Sequence, residues 1–466
     1  MRVAVVGAGI SGLSTAHFLE KGGADVRVYE KKGGPGGTIE TKVIDGYLVE
    51  SGPNSTSETN AVIDEVLSDL SIMDEKVYAD ENSKFRFILR NGKLHALPSG
   101  PGSFLGTGLW SAGGKLRLFG EPFVGRAFHE ESVADFVTRR LGREFLDYAI
   151  NPFVAGVYAG DPSELSVRAA FPKLYALEEK YGGLLKGTIK GARERKKRPD
   201  KARVSAKLFA FKSGMGILTR KLADRLGDRV QYGTSVDSVN LDGNKFKVKL
   251  SGGGRAFYET FESVILSVPA YAATGVVKSW LPELASELSK IKYPPVAVAV
   301  LGYRREQVKI DLKGFGFLIP EVEQRKILGT IWSSSIFPNR APEGFVELTT
   351  FLGGSRQPKL VSMSENEIAK VAHEENAILM KIEGMPAFTS VTKWDRAIPQ
   401  YNIGHLAIVH AVEHVEGLYQ GFHICSNFKD GISVADCIAN GKKVAERILE
   451  IWPKSVGSVA RDMMVQ

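Results

Sequence analysis

Hydrophobic positions first gather into an unbroken run of strand length at the very start of the chain. Arg2–Val6 (RVAVV) is a short β-branched run suited to a buried parallel strand. The period becomes helical over 13–21, with Leu13, Ala16 and Leu19 on roughly one face, and Gly22-Gly23 ends it. Asp25–Tyr29 is a second short strand, closed by Glu30. The pattern predicts further strands at Tyr47–Glu50, on both sides of the Asn91-Gly92 hairpin turn, over 230–239, 245–250, 256–261 and 263–267, through much of 291–351, and at 418–425. It predicts a single helix over 129–150, a loop and helix over 211–226, and a closing helix to Leu449. In the first of these Ser132 is the cap, with Asp135 three residues on. Phe136 and Leu141 are expected in the core, and Arg139, Arg140 and Arg143 outside it. Residues 165–207 read as the most irregular stretch.

Between the first strand and the first helix stands Gly7-Ala8-Gly9-Ile10-Ser11-Gly12. In a strand–turn–helix, Gly7 allows the tight turn, Gly9 lets a pyrophosphate approach the backbone, and Gly12 lets helix and strand pack closely. The anion would sit on free N–H groups at the positive end of the helix dipole. Glu30 falls where an acid accepts hydrogen bonds from ribose hydroxyls. The stretch therefore predicts a dinucleotide site.

Composition bounds the rest. The chain has 466 residues, enough for two or three domains, and its 43% hydrophobic and 24% charged content is ordinary for a globular protein. The net charge of +8 suits an anionic ligand or surface. Cys425 and Cys437 are the only cysteines, which excludes a disulfide framework and suggests a reducing, cytoplasmic setting. The first strand leaves no room for a leader, and no apolar run reaches the length of a membrane span, 296–301 being the most apolar. His410 and His414 are spaced i, i+4, but no accompanying acids make a metal site. Cys437 is expected to be structural.

Ordered motifs add a resemblance. The second glycine pair in Lys31-Lys32-Gly33-Gly34-Pro35-Gly36-Gly37-Thr38 resembles flavoproteins related to amine oxidases. That resemblance implies FAD; the spacing alone does not. Gly52-Pro53-Asn54-Ser55, the H-A-L-P run ending at Pro98, the 129–160 segment, Gly314–Pro320, Trp394–His405 and Asn427–Cys437 resemble the protoporphyrinogen oxidase family. The resemblance spans nearly the whole chain, with Ser213 and Ser426 as small departures from the family pattern.

The resemblance implies an α/β fold, with 151–160 as a loop between a helix and the substrate cavity. A Rossmann-type FAD-binding domain (p-hydroxybenzoate hydroxylase-like) would comprise 1–70, 205–285 and 390–455. A β-rich substrate domain would comprise 71–98 and 286–389, and a helical, membrane-facing insertion 99–204. Cofactor contacts are implied at Gly7, Ala8, Gly9, Ile10, Ser11, Gly12, Glu30, Lys31, Gly36, Gly37, Thr38, Gly52, Pro53, Asn54, Ser55, Val236, Asn427, Gly431, Ile432, Ser433 and Val434. Substrate contacts are implied at Arg86, Phe153, Ala155, Gly156, Phe315, Gly316, Leu318, Ile331 and Phe351, with Arg86 meeting a propionate through paired hydrogen bonds. The implied reaction is oxidation of protoporphyrinogen IX to protoporphyrin IX with oxygen as acceptor, in tetrapyrrole biosynthesis. Coproporphyrinogen III oxidation and other amine-oxidase-like flavin chemistry are the alternatives. No His, Asp or Glu in these motifs offers a general base, so positioning and desolvation are expected to carry catalysis. No nucleic acid is expected. A membrane surface met by the basic run 192–203, a downstream chelatase and a second copy of the chain are the other partners considered.

Overall fold

Alternate residues of the first strand enter two different cores. Val3 and Val5 join one cluster, and Ala4 and Val6 the other. That double burial is why Arg2–Val6 is apolar almost throughout. The strand lies at the centre of a five-stranded parallel sheet, in the order Val230–Gln231, Asp25–Tyr29, Arg2–Val6, Ser263–Leu266, Phe422–Ile424. Helices Ile10–Lys21, Gly216–Leu226 and Val434–Ile451 cover one face. The other face carries a three-stranded antiparallel sheet (Thr234–Asp242, Lys245–Gly252, Arg255–Phe261) and helices Ala270–Val277, Pro282–Ser289 and His405–Leu418. The computed structural model describes residues 1–197 and 207–451.

A second sheet has seven strands, in the order Phe388–Trp394, Val296–Arg304, Phe345–Gly353, Gly329–Ile331, Gly316–Leu318, Arg86–Arg90, Lys93–Ala96. All neighbours are antiparallel except Gly316–Leu318 beside Arg86–Arg90. Helix Glu365–Met380 packs on one face over Leu89, Ala297, Ala299, Phe317 and Leu348. The opposite face turns toward strand Tyr47–Glu50. The Tyr47 ring stacks on Phe388 at 4.4 Å, and Trp394 Nε1 donates to Ser51 O at 2.7 Å.

The region between 99 and 197 is helical, and it corrects several expectations. Residues 129–150 are not one helix. The helix runs Val133–Leu141 and stops at Gly142, whose φ of +96° cannot continue it. Residues 151–160 are not a loop, because Asn151–Tyr158 is a helix with Pro152 in its first turn. The irregular stretch contains helices Val167–Ala170, Pro172–Tyr181 and Leu184–Lys197. Arg140 is not outside the core but wholly buried. It meets Glu178 and, at 3.2 Å, Glu121, while Glu121 also accepts from Leu184 N at 2.7 Å. One buried cation thus joins three segments, and two carboxylates provide its countercharge.

Two strand predictions also change. The turn at Gly233 splits 230–239 between two sheets, because Glu30 N bonds to Gln231 O and Thr234 N to Glu30 O. Residues 418–425 hold only the short strand Phe422–Ile424, because the preceding helix extends through Leu418. Part of the basic run, 198–203, lies outside the described residues. Among the described residues, no helix is long and apolar enough to cross a membrane.

Candidate active site

The helices Ile10–Lys21 and Val434–Ile451 lie side by side and run in the same direction. A side chain at Gly441 would meet Ser14 and Thr15, and one at Gly22 would meet Leu449. Both N-termini therefore point to the same end of the parallel sheet, beyond the carboxyl ends of its strands. That is the ligand-binding end of a doubly wound sheet, and it carries two positive dipole ends.

The glycine turn has the shape a pyrophosphate requires. Gly7 has φ +101°, and a Cβ there would lie 2.8 Å from Ser267 O. A Cβ on Gly12 would stand 2.0 Å from Gly7 O. A Cβ on Gly9 would meet nothing within 4 Å, so the backbone is open on the ligand side. Glu30 braces the turn by accepting from Ala8 N and Lys32 N, each at 2.8 Å. The second glycine segment folds onto the first. Gly36 N donates to Ala8 O at 2.8 Å, and a Cβ on Gly37 would lie 3.5 Å from the Gly9 Cα. Thr38 O in turn abuts Gly52, where a Cβ would approach to 2.1 Å. The chain thus brings Gly7–Gly12, Gly36–Thr38 and the Gly52–Ser55 turn into one continuous cradle, whose open Gly9 suits the approach of the phosphates of FAD. Ile10 and Ser11 open the first helix, and Lys31 is exposed beside Glu30. Val236 belongs to the three-stranded sheet and packs in the same core as Tyr29.

Asn427, Gly431, Ile432, Ser433 and Val434 form the turn and helix start across from that cradle. Ser433 Oγ caps the helix, accepting from Asp436 N at 3.1 Å. Ile432 reaches the core of the helical region. Cys437 is buried in this helix, and its thiol is pushed up to about 11 by burial, so it is held as an unreactive thiol.

The implied substrate residues lie mostly on one face of the seven-stranded sheet. Residues paired across a ladder share a face. Arg86 pairs with Gly316, Gly316 with Ile331, Leu318 with Gly329, and Gly329 with Phe351. This face is opposite the one packed by helix Glu365–Met380. Its side chains border three different cores, so they are half-buried. Phe315 and Ile331 touch the core that holds Val3, Val5 and Leu13, Leu318 the helical core, and Phe351 the cluster around Tyr47 and Ala155. Only glycine fits at 316, where φ is +133° and a Cβ would lie 2.1 Å from Thr330 O. Gly156 closes the wall from helix Asn151–Tyr158, since a Cβ there would come 2.7 Å from Leu318 Cδ2. Ala155 is buried, whereas Phe153 is half-exposed and packs on Phe171 at 5.9 Å. The exposed Arg86 guanidinium lies over the Phe315 ring at 5.0 Å. Asn54, Ser55, Phe315, Ile331, Ser333 and Arg340 border one tight crevice between this wall and the cradle, with no room for a water molecule. Pro53 lies within the same turn.

Several residues of the site gave little sign in the sequence. Glu50 ends an apolar strand and is 2% exposed, paired with Arg340 at 2.9 Å. Glu347 is buried nearby, and desolvation pushes its carboxyl up to about 8. Arg340 Nη2 also reaches Asn54 O at 3.4 Å, so that Arg340 links the Gly52–Ser55 turn to Glu50. Arg356 holds the wall together, donating to Ile319 O and to Asn151 Oδ1 at 2.7 and 2.6 Å. The only sequence signal was a charged residue placed in or beside an apolar strand. His410 and His414 are exposed on their helix, and among the described residues no cluster of His, Cys, Asp or Glu side chains could hold a metal.

A dinucleotide cradle facing an apolar wall defines an FAD-dependent oxidoreductase. Known proteins agree. Residues 10–449 match the family of flavin containing amine oxidoreductases. A chloroplastic protoporphyrinogen oxidase of Oryza sativa subsp. japonica is 36% identical, covering 97% of this chain and 88% of its own. A coproporphyrinogen III oxidase of Bacillus subtilis (strain 168) is 28% identical, covering 94% of this chain and 96% of its own. The crystal structure of reduced UDP-galactopyranose mutase superposes with a TM-score of 0.74 at 15% identity, covering 99% of this chain and 96% of that one, which shows the shared fold. The chain belongs to the flavin containing amine oxidoreductases, and the protoporphyrinogen oxidases among them are its relatives.

Proposed function

We propose that this chain oxidises protoporphyrinogen IX to protoporphyrin IX, with oxygen as the final acceptor. Bound FAD supplies the two-electron acceptor. The observation that carries the reading is the sheet face on which Arg86, Leu318, Ile331 and Phe351 stand together, with Phe315 and Ile331 beside the Asn54–Ser55 turn. The apolar side chains suit a flat macrocycle and exclude water from it. Arg86, at one margin of that face, orients a propionate through paired hydrogen bonds, and the Phe315 ring beneath it holds the guanidinium in place. The wall residues Arg86, Phe153, Ala155, Gly156, Phe315, Gly316, Leu318, Ile331 and Phe351 include no carboxylate or imidazole. Placement and desolvation therefore carry the rate.

The test is turnover of protoporphyrinogen IX and coproporphyrinogen III side by side, with oxygen uptake and porphyrin fluorescence followed together. Higher kcat/KM for protoporphyrinogen is expected. A preference for coproporphyrinogen, the substrate named for the Bacillus relative, would overturn the substrate choice. Arg86→Ala is expected to raise KM about tenfold with FAD content unchanged. An unchanged KM would remove Arg86 from the site.

The helical region supports peripheral membrane binding. Phe119, Phe123 and Phe128 are 74%, 90% and 103% exposed, and the exposed cations Arg126 and Lys186 lie in the same region. Aromatic rings beside cations suit an anionic lipid surface. Binding to anionic vesicles that is lost in Phe123→Ser with Phe128→Ser is the expected result. Equal binding by the double variant would refute it.

A further inference from the structure

The turn 427–431 stands between two parts of the site, and one side chain spans it. Tyr401 is buried, and its hydroxyl sits between the two ends of the turn. It donates to Asn427 O at 2.5 Å and accepts from Gly431 N at 3.0 Å. The ring stacks flat on His405, with centroids 4.2 Å apart and planes 11° from parallel. His405 Nε2 donates to Phe428 O at 2.8 Å. Burial lowers the His405 imidazole to about 4, so it is neutral, and the carbonyl partner requires the proton on Nε2. Lys429 is held by Glu416 at 2.7 Å, and Ser426 Oγ donates to Val268 O at 2.9 Å. Gly431 has φ +120°, and a Cβ there would lie 2.9 Å from Asp436 Oδ2.

On its other side the same segment grips the substrate wall. Gln400 Nε2 donates to Tyr158 O at 2.8 Å, at the end of helix Asn151–Tyr158 that carries Ala155 and Gly156. The Tyr158 and Tyr401 rings lie 5.8 Å apart. Residues 400–405 thus contact the wall helix and the turn that leads into helix Val434–Ile451.

We infer that Tyr401 and His405 are positioning residues for the flavin end of the cofactor, fixing the 427–431 turn and the N-terminus of the helix behind it. The inference rests on the FAD-dependent reading above. Both act through the turn, to which Tyr401 and His405 are hydrogen-bonded. With the turn held, the N–H groups at the start of helix Val434–Ile451 keep a fixed place, from which they would favour negative charge on bound FAD. Without the Tyr401 hydroxyl, Gly431 N and Asn427 O both lose their partner, and the turn shifts to find others.

The experiment compares wild type, Tyr401→Phe and His405→Gln for FAD dissociation constant, visible flavin absorption, flavin reduction potential and melting temperature of the cofactor-free protein. Tyr401→Phe is expected to weaken FAD binding about tenfold, to shift the flavin absorption band and to lower the reduction potential. Its cofactor-free melting temperature should stay within a few degrees of wild type. His405→Gln keeps an N–H donor for Phe428 O and should retain FAD more tightly than Tyr401→Phe. A drop in melting temperature with affinity, absorption and potential unchanged would make the role purely structural and overturn the inference. Equal FAD affinity in all three proteins would also overturn it. Wild type that binds no FAD would instead overturn the reading on which the inference rests.

Discussion

Glu347→Gln sets two electrostatic outcomes against each other. Glu347 is 1% exposed, and its Oε2 has no hydrogen-bond partner among the described residues. The nearby Arg340 is committed to Glu50, which is also held by Thr41 Oγ1 at 2.6 Å and Met215 N at 2.8 Å. The Ser333 hydroxyl lies 2.7 Å from Thr349 Oγ1. Burial therefore outweighs both Arg340 and a hydrogen bond with Ser333, the Glu50 carboxylate adds to it, and the Glu347 carboxyl rises from 4.5 to about 8. The folded chain keeps a proton that the unfolded chain releases above about pH 4.5. Over that interval the folded state binds more protons, so stability falls as pH rises and levels off above about pH 8. Each pH unit is worth about 1.4 kcal/mol, so by about pH 7 the burial costs roughly 3 kcal/mol. Glutamine has the shape of the neutral acid and no proton to lose. The variant should be about 2–3 kcal/mol more stable than wild type near pH 7, and about equal near pH 4.5. Urea unfolding of FAD-loaded protein at both pH values, followed by tryptophan fluorescence, measures this. A variant that is about 3–5 kcal/mol less stable at both would refute the reasoning, because it would mean that Glu347 is ionised and paired with Arg340.

Other outcomes follow from the same geometry. Arg140→Ala leaves Glu121 and Glu178 buried without their cation, and should cost about 3–5 kcal/mol in urea unfolding; a loss under 1 kcal/mol would mean that water reaches the cluster. Gly12→Ala places a methyl group 2.0 Å from Gly7 O, so purified protein should carry little FAD, as its visible absorbance will report. Burial holds the His405 and His423 imidazoles at about 4. Their contribution is complete above the unfolded value of 6.5 and is lost as pH falls toward 4, a slope that His405→Gln should lessen in a denaturation series.

How much of this was legible in advance depends on the range over which the physics acts. The glycine turn, its strand and its helix are local. Backbone angles, hydrophobic period and the spacing to Glu30 lie within 30 residues, so the sequence alone determined a dinucleotide site. Ordered motifs along the chain carried the family and its cofactor. Local reading failed where tertiary contacts override it. Arg140 looked solvated because its two acids lie 19 and 38 residues away. Residues 151–160 were expected as a loop from the family resemblance, whereas Pro152 sits in the first turn of a helix, where its missing N–H costs nothing. Glu50 and Arg340, 290 positions apart, meet only after the two sheets pack.

Tertiary structure alone decided how the wall is assembled. Arg86, Gly316, Ile331 and Phe351 share a face only through ladder register, which no local pattern encodes across hundreds of residues. It also decided that the helices starting at Ile10 and Val434 run side by side, so that the two ends of the chain complete one cradle. Propensity and motif determine what each segment can be. Burial and register decide which segments meet, because the free energy of both resides in contacts between distant parts of the chain.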